Sequence, residues 1–102
     1  MEREFDLSYQ LILDDCFVAK YDPDGQPSFE AHEDSSDWSF VIVLNDNFEG
    51  GGTRFESLPG KPVYQPPAGC AIGFNGQNRH SGLSVTQGVR YILAGYLMPT
   101  ER

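Results

Sequence analysis

The chain has 102 residues, of which 39% are hydrophobic and 13% aromatic, and it carries a net charge of −8. This length and composition predict one folded domain over residues 1–102, and they exclude a second core and a disordered chain. The acidic charge argues against nucleic acid, and no apolar run approaches the roughly 20 residues that span a bilayer. We therefore expect no nucleic-acid partner and no membrane.

The first residues, M-E-R-E-F-D-L, lack the apolar segment of a signal peptide. A cytoplasmic location is therefore the default expectation, and the compartment of a longer parent protein stays open. The negative charge favours a neutral or basic partner through long-range attraction.

The N-terminal part of the chain is predicted to form three short strands. Residues 5–13 begin with alternating apolar side chains, the pattern of a half-buried strand, and Asp14 and Asp15 end it. Residues 16–21 form a second strand, and the segment D-P-D-G-Q-P-S that follows has the Pro and Gly content of a turn. Residues 29–34, F-E-A-H-E-D, form the third strand.

The rest of the chain alternates between short apolar runs and clusters of turn residues. No segment has a helical period with capping residues. This pattern predicts an all-β protein, a sandwich or barrel with little or no helix. The further predicted strands are 39–44, 53–56, 63–65, 70–74, 80–85 and 89–97.

Two of these strands have apolar side chains on both faces, at residues 40–44 and 91–97. A sheet with one solvated face should instead alternate between apolar and polar residues. We expect the outer faces of these strands to be covered by a second copy of the chain or by a flanking segment of a longer protein.

Two cysteines, Cys16 and Cys70, are too few for a disulfide framework. Both lie among apolar residues, where a cysteine behaves as a small hydrophobe. We predict that they are buried free thiols.

The segment F-E-A-H-E-D carries the chemistry of the chain. Side chains alternate along a strand, so His32 and Asp34 are predicted to project side by side from one face. An imidazole and a carboxylate so placed are two thirds of the 2-His-1-carboxylate triad of non-haem Fe(II) oxygenases. The chain has only one other histidine, His80, which is the candidate for the third ligand.

Four segments within residues 16–97 extend this pattern. They are K-Y-D-P-D-G-Q-P-S-F-E-A-H-E-D, F-E-G-G-G-T-R-F, P-x-x-G-x-A-I-x-F and R-H-S-G-L-S-V-T-Q-G-V-R-Y-I-L. As a set they resemble the Fe(II)- and 2-oxoglutarate-dependent dioxygenases, in particular the prolyl and lysyl hydroxylase branch. The spacing from the tyrosine to H-x-D and the triple glycine are most similar to procollagen lysyl hydroxylase catalytic domains.

The resemblance implies a double-stranded β-helix, the cupin-like jelly roll with eight core strands. It implies that His32, Asp34 and His80 bind Fe(II). Arg90 matches the residue that pairs with the distal carboxylate of 2-oxoglutarate, and a guanidinium is suited to bind a carboxylate through two hydrogen bonds. Tyr21 lies where the family often has a tyrosine near the co-substrate, although it is equally suited to the core.

The resemblance does not assign a second partner for the distal carboxylate. Some prolyl hydroxylases have a tyrosine for this purpose just before the L-N of the third core strand. In this chain the position is occupied by Val43, which has no polar group.

The implied activity is hydroxylation of an unactivated C–H bond, with release of succinate and CO₂. Fe(II) is the implied cofactor, 2-oxoglutarate and O₂ are the co-substrates, and ascorbate is a further candidate. The implied substrate is a prolyl or lysyl side chain of a polypeptide, with a small molecule as the other option.

Three alternatives stay open on the sequence. The chain could be a jelly-roll binding module without turnover, or a truncated core that needs further segments for activity. A metal-dependent isomerase or dioxygenase of the cupin type is the third, and Arg90 argues against it because such enzymes need no 2-oxoglutarate clamp.

Overall fold

Short runs of β-branched and aromatic residues, separated by Pro, Gly and Asn, make strands of this chain. The structure is a computed structural model that describes residues 11–99, and within that range it contains no helix. No segment of the described chain is therefore a helix long and apolar enough to cross a membrane. The described strands are β1 (Leu11–Tyr21), β2 (Phe29–His32), β3 (Trp38–Val43), β4 (Phe48–Gly50), β5 (Thr53–Phe55), β6 (Val63–Tyr64), β7 (Ala71–Asn75), β8 (His80–Gly82), β9 (Val85–Gly88) and β10 (Arg90–Pro99).

Eight of these strands form two four-stranded antiparallel sheets. The sheet with the longer strands, called the larger sheet below, has the order β1-β10-β3-β7. The sheet with the shorter strands, called the smaller sheet, has the order β2-β8-β5-β6. The remaining two, β4 and β9, pair with each other. Two four-stranded sheets with this non-sequential strand order form a jelly roll, so the predicted fold class is confirmed.

The core lies between the two sheets. Ser39, Val41 and Val43 alternate with more exposed neighbours along β3, as expected for a strand with one face in the core. Aromatic and β-branched side chains from both sheets and from β9 meet there: Tyr21, Val41, Phe55, Phe74, Val85 and Ile92.

The first strand differs from its prediction. Asp14 and Asp15 do not end a strand, because a bulge between Leu13 and Asp15 absorbs the irregularity and pairing with β10 continues on both sides. β1 therefore runs unbroken from Leu11 to Tyr21, where the sequence predicted two strands. The residues of the predicted strand 5–13 that precede Leu11 lie outside the described part.

Residues 80–85 also differ from their prediction. The predicted strand 80–85 is two strands, β8 and β9, and β9 pairs with β4, which ends at Gly50. The triple glycine makes a turn after β4, because Gly50, Gly51 and Gly52 all have positive φ angles of 82 to 104°. Glycine adopts such angles without the strain that they cause in most other residues.

The outer face of the larger sheet is apolar. Val18 and Trp38 are 61% and 42% exposed, and Leu93 and Ile42 are cross-strand neighbours on the same face. The expectation that a second copy of the chain or a flanking segment covers this face stays a prediction.

Both cysteines are free but exposed, so the prediction that they are buried is wrong. Cys16 lies on β1 and Cys70 immediately precedes β7, and these strands are the opposite edges of the larger sheet. Apolar sequence neighbours did not bury these thiols, because an edge strand is packed on fewer sides than a central one.

Candidate metal centre

Two strands of the smaller sheet bring the two histidines together. β2 and β8 are antiparallel, and His32 and His80 are direct cross-strand partners. Side chains opposite each other in such a pair lie on the same face of the sheet. The imidazole ring centres are 4.3 Å apart.

Both imidazoles are held in one tautomer by the same local contact. The Nδ1 of His32 lies 2.8 Å from the carbonyl oxygen of Glu30, and the Nδ1 of His80 lies 2.7 Å from that of Asn78. A carbonyl can only accept, so each Nδ1 carries the proton and donates it. Each Nε2 is thereby left with a free lone pair, as a metal-binding histidine requires.

Asp34 reaches the histidines from a loop and not from a strand. The sequence predicted a strand over residues 29–34, but β2 ends at His32. The backbone N–H of Asp34 donates to the carbonyl of Gly76 at 2.7 Å, which fixes the loop at this point. The predicted proximity of His32 and Asp34 is therefore correct, although the structure reaches it in another way.

The carboxylate of Asp34 lies between the two imidazoles. Its Oδ1 is 3.4 Å from the Nε2 of His32, and its Oδ2 is 3.5 Å from the Nε2 of His80. One ligand atom from each of the three residues falls within 4.8 Å of the others. Two imidazole nitrogens and one carboxylate oxygen that lie this close together form the donor set that suits non-haem Fe(II).

Burial adjusts the protonation of His80. Removal from water lowers the pKa of His80, against the opposing effects of the Asn78 carbonyl and the Asp34 carboxylate. The neutral imidazole is therefore favoured, and this is the form that binds a metal. Phe74 packs edge-on against the His80 ring at 4.7 Å between ring centres and restricts its rotation.

A cavity of about 290 Å³ opens beside the three residues. Its interior wall is apolar and includes Val41, Phe74 and Ile92. Phe17 and Phe29 also line it and are exposed, so they lie at its opening. The cavity is close to the lower end of the roughly 300–1,000 Å³ range of small-molecule pockets.

Arg90 is only 1% exposed, and among the described residues its Nε and Nη2 have no hydrogen-bond partner. A buried cation without a partner is costly, so such a group normally faces an anion. Its guanidinium carbon lies 5.1 Å from the ring centre of Tyr21, which itself lines the cavity. Nε and Nη2 have the chemistry to bind a carboxylate group beside Tyr21.

Tyr21 belongs to both the core and the cavity wall. It is buried in the main apolar cluster and also faces the space next to His32, Asp34 and His80. The core position that the sequence left open for Tyr21 is therefore correct, and its place near a co-substrate stays a prediction. Val43 is fully buried and apolar, so it supplies no polar group to the cavity.

Two glycines make room for the pair formed by Tyr21 and Arg90. A Cβ atom at Gly82 would lie 2.6 Å from the phenol oxygen of Tyr21, and one at Gly51 would lie 2.9 Å from Cδ of Arg90. Sequence reasoning missed Gly82, although an isolated glycine within a strand commonly marks a close approach of another group.

Ser39 was also missed. Its hydroxyl donates to Oδ2 of Asp34 at 2.5 Å. The only signal in the sequence is a polar residue at an inward-facing position of the apolar strand S-F-V-I-V-L.

Sequence comparison finds relatives among the procollagen lysine hydroxylases. The chain is 39% identical over 88 residues to the multifunctional procollagen lysine hydroxylase and glycosyltransferase LH3 of Rattus norvegicus. It is 36% identical over 92 residues to procollagen-lysine,2-oxoglutarate 5-dioxygenase 1 of Homo sapiens. These matches cover 81% and 85% of the chain, which spans 12% of the length of each relative. No protein-family model matches the chain.

Structural comparison finds the same fold in a solved protein. An oxidoreductase of the 2OG-Fe(II) oxygenase family from Burkholderia pseudomallei superposes with a TM-score of 0.76 and 22% identity. The match covers 90% of this chain and 47% of that one. The predicted resemblance is thus confirmed: the chain is related to one segment of the procollagen lysine hydroxylases and has the fold of a 2-oxoglutarate and Fe(II) oxygenase.

Proposed function

We propose that this chain is the core of an Fe(II)- and 2-oxoglutarate-dependent dioxygenase. The proposed reaction hydroxylates an unactivated C–H bond of a prolyl or lysyl side chain in a polypeptide, with release of succinate and CO₂. One observation carries the proposal: the His-Asp-His cluster lines the same cavity as Tyr21, and Tyr21 lies against the buried Arg90, whose Nε and Nη2 have no hydrogen-bond partner among the described residues. A pure binding module would have no use for both.

Each residue has a separate part in the proposed site. His32, Asp34 and His80 would hold Fe(II), which when bound supplies the coupling of O₂ activation to the decarboxylation of 2-oxoglutarate. Arg90 would pair with the distal carboxylate of 2-oxoglutarate, and Tyr21 would position that carboxylate from the adjacent strand.

The walls of the cavity fit the same chemistry. Val41, Phe74 and Ile92 would exclude water from the reacting atoms, which strengthens every electrostatic contact within the site. Phe17 and Phe29 at the opening would contact the incoming substrate. The net charge of −8 favours a neutral or basic polypeptide through electrostatic steering.

The binding of 2-oxoglutarate tests the proposal most directly. Calorimetry would compare the wild type with Mn(II) as a redox-silent metal, the wild type without metal, and His80→Ala with Mn(II). We expect binding only in the first sample, because chelation requires a metal held by the intact cluster. Binding by the wild type without metal, or by His80→Ala as tightly as by the wild type, would contradict the proposed site.

A truncated core is the second candidate, and it is favoured by the 12% of its relatives' length that the chain spans. Such a core would bind Mn(II) through the cluster but not 2-oxoglutarate. A folded wild type that binds the metal alone would therefore identify it.

A further inference from the structure

The carboxylate of Asp34 is held from outside the cluster of proposed ligands. Ser39 lies on β3 in the opposite sheet, is 3% exposed, and donates its hydroxyl proton to Oδ2 of Asp34 at 2.5 Å. A bond this short is typical of a hydroxyl bound to an ionised carboxylate. Asp34 lies in the loop that leads into β3, so the contact ties this loop to the start of β3 at the proposed metal ligand.

A second serine extends this contact. Ser36 is also buried, and its hydroxyl oxygen lies 3.2 Å from that of Ser39. A hydroxyl has one proton, and Ser39 uses its proton on Asp34. Ser36 must therefore be the donor in the second contact. This gives a series of two hydrogen bonds, from Ser36 to Ser39 and from Ser39 to Oδ2 of Asp34. Successive bonds of this kind strengthen one another.

Gly76 packs closely against both serines. A Cβ atom at Gly76 would lie 2.5 Å from the carbonyl oxygen of Ser36 and 3.1 Å from the hydroxyl of Ser39. The backbone of Gly76 in turn accepts the N–H of Asp34. The two serines, Gly76 and the backbone of Asp34 thus form one packed unit beside the carboxylate.

We propose that Ser39 is a positioning residue that holds Oδ2 of Asp34, so that the carboxylate offers a metal Oδ1 alone. This inference rests on the proposed function. A 2-His-1-carboxylate site leaves three positions of an octahedral ion open only if the carboxylate uses one oxygen. A carboxylate that bound through both oxygens would occupy a position that 2-oxoglutarate or O₂ needs. Oδ2 lies 3.5 Å from the Nε2 of His80, so it also faces the cluster, and in this structure the bond from Ser39 occupies it.

The test separates metal binding from co-substrate binding. Two variants would be compared with the wild type: Ser39→Ala, which removes the donor, and Ser39→Thr, which keeps a hydroxyl on a strand that tolerates β-branched residues. Calorimetry would measure the dissociation constant of Mn(II) first, and that of 2-oxoglutarate at saturating Mn(II) second. Melting of the metal-free proteins would report on folding.

We expect Ser39→Ala to weaken 2-oxoglutarate binding at saturating Mn(II) by roughly tenfold, which is the low end of the loss of activity found when a residue that orients a metal ligand is removed. Its Mn(II) affinity is expected to stay equal or to rise, because the released oxygen can add a second bond to the metal. Ser39→Thr should keep both affinities. If Ser39 were purely structural, Ser39→Ala would bind Mn(II) and 2-oxoglutarate more weakly to the same degree, and this result would overturn the inference. Loss of 2-oxoglutarate binding in Ser39→Thr would overturn it as well.

Three further outcomes lead to different conclusions. If Ser39→Ala does not fold, Ser39→Cys replaces it, because a thiol is of similar size but only a weak donor. We then expect Ser39→Cys to bind 2-oxoglutarate more weakly than the wild type and Mn(II) equally well or better. If the wild type binds Mn(II) but not 2-oxoglutarate, the proposed function and this inference both fail. If Ser39→Ala binds 2-oxoglutarate as tightly as the wild type, only the role of Ser39 is overturned.

Discussion

Tyr21 and Arg90 are direct cross-strand partners on β1 and β10, and the guanidinium carbon lies 5.1 Å from the centre of the phenol ring. Burial lowers the pKa of Arg90 and raises the pKa of Tyr21, although the charge of Arg90 opposes the rise. The ring covers one face of the cation but leaves Nε and Nη2 without an acceptor in the described chain. A bound carboxylate would supply that acceptor.

Replacement of Arg90 by methionine tests this role. We expect Arg90→Met to weaken 2-oxoglutarate binding roughly 10- to 150-fold, the range of a lost hydrogen bond to a charged group. The Mn(II) affinity should not change. The metal-free variant should melt at the same temperature as the wild type or higher, since a buried cation with two nitrogens unpaired in the described chain is replaced by an apolar side chain of similar length. Unchanged 2-oxoglutarate binding would contradict the assignment.

Gly82 should be intolerant of any side chain. A methyl group there would lie 2.6 Å from the phenol oxygen of Tyr21, so we expect Gly82→Ala to displace that ring. The expected cost is about 1–3 kcal/mol of unfolding free energy, the range for an overpacked core, with weaker 2-oxoglutarate binding. Gly73→Ala on β7 is the matched control, because the nearest atom to its Cβ would be 3.9 Å away. Equal melting temperatures for the two variants would refute the steric argument.

Glu56 is expected to make the fold sensitive to acid. Its hydrogen bond from Arg54 lowers the pKa of this carboxyl against the effect of desolvation, and Ser81 and Lys61 act in the same direction as Arg54. A carboxyl whose pKa is lower in the folded state contributes stability above its unfolded value of 4.5, and this stability is lost as the pH falls through the folded pKa.

Denaturant unfolding between pH 6 and pH 3 checks this expectation. Glu56→Gln should be less stable than the wild type at pH 6, and the difference should shrink as the solution is acidified below about pH 4.5. Glu49→Gln, at an exposed glutamate outside this cluster, is the control and should follow the wild type. A difference that stays constant down to pH 3 would count against the role of Glu56.

The outer face of the larger sheet is expected to associate with a second copy of the chain when no other segment covers it. Trp38 is the single tryptophan and lies on this face, where it is 42% exposed. Its fluorescence should shift to shorter wavelength as the protein concentration rises, in step with the mass from sedimentation. Val18→Asp, which places a charge on the same face, should suppress both changes. A monomer with constant Trp38 emission at every concentration would contradict the expectation.

The sequence predicted much of the fold because strand patterns are local. The run S-F-V-I-V-L and the segments that became β6 and β7 were found to within about two residues, since β-branched residues between turns determine a strand without reference to its partner. The prediction at Asp14 and Asp15 was wrong because it also used local sequence alone. Whether a polar pair ends a strand or forms a bulge depends on pairing with β10, which is distant in the sequence.

The residue types of the candidate site could be recognised in the sequence, but their contacts could not. His32, Asp34, His80, Arg90 and Tyr21 were singled out from spacing and resemblance, and the structure brings the first three together. The sequence by itself determined which side chains are available for metal and carboxylate binding. The tertiary structure decided that Asp34 approaches from a loop, that Nε and Nη2 of the buried Arg90 find no acceptor in the described chain, and that Ser39 reaches Oδ2 of Asp34. Asp34 and Ser39 are close in the sequence, but their contact depends on where Gly76 holds the loop between β2 and β3. The position of Arg90 depends on the pairing of β1 with β10. Such geometry follows from long-range register and packing, which no local pattern encodes.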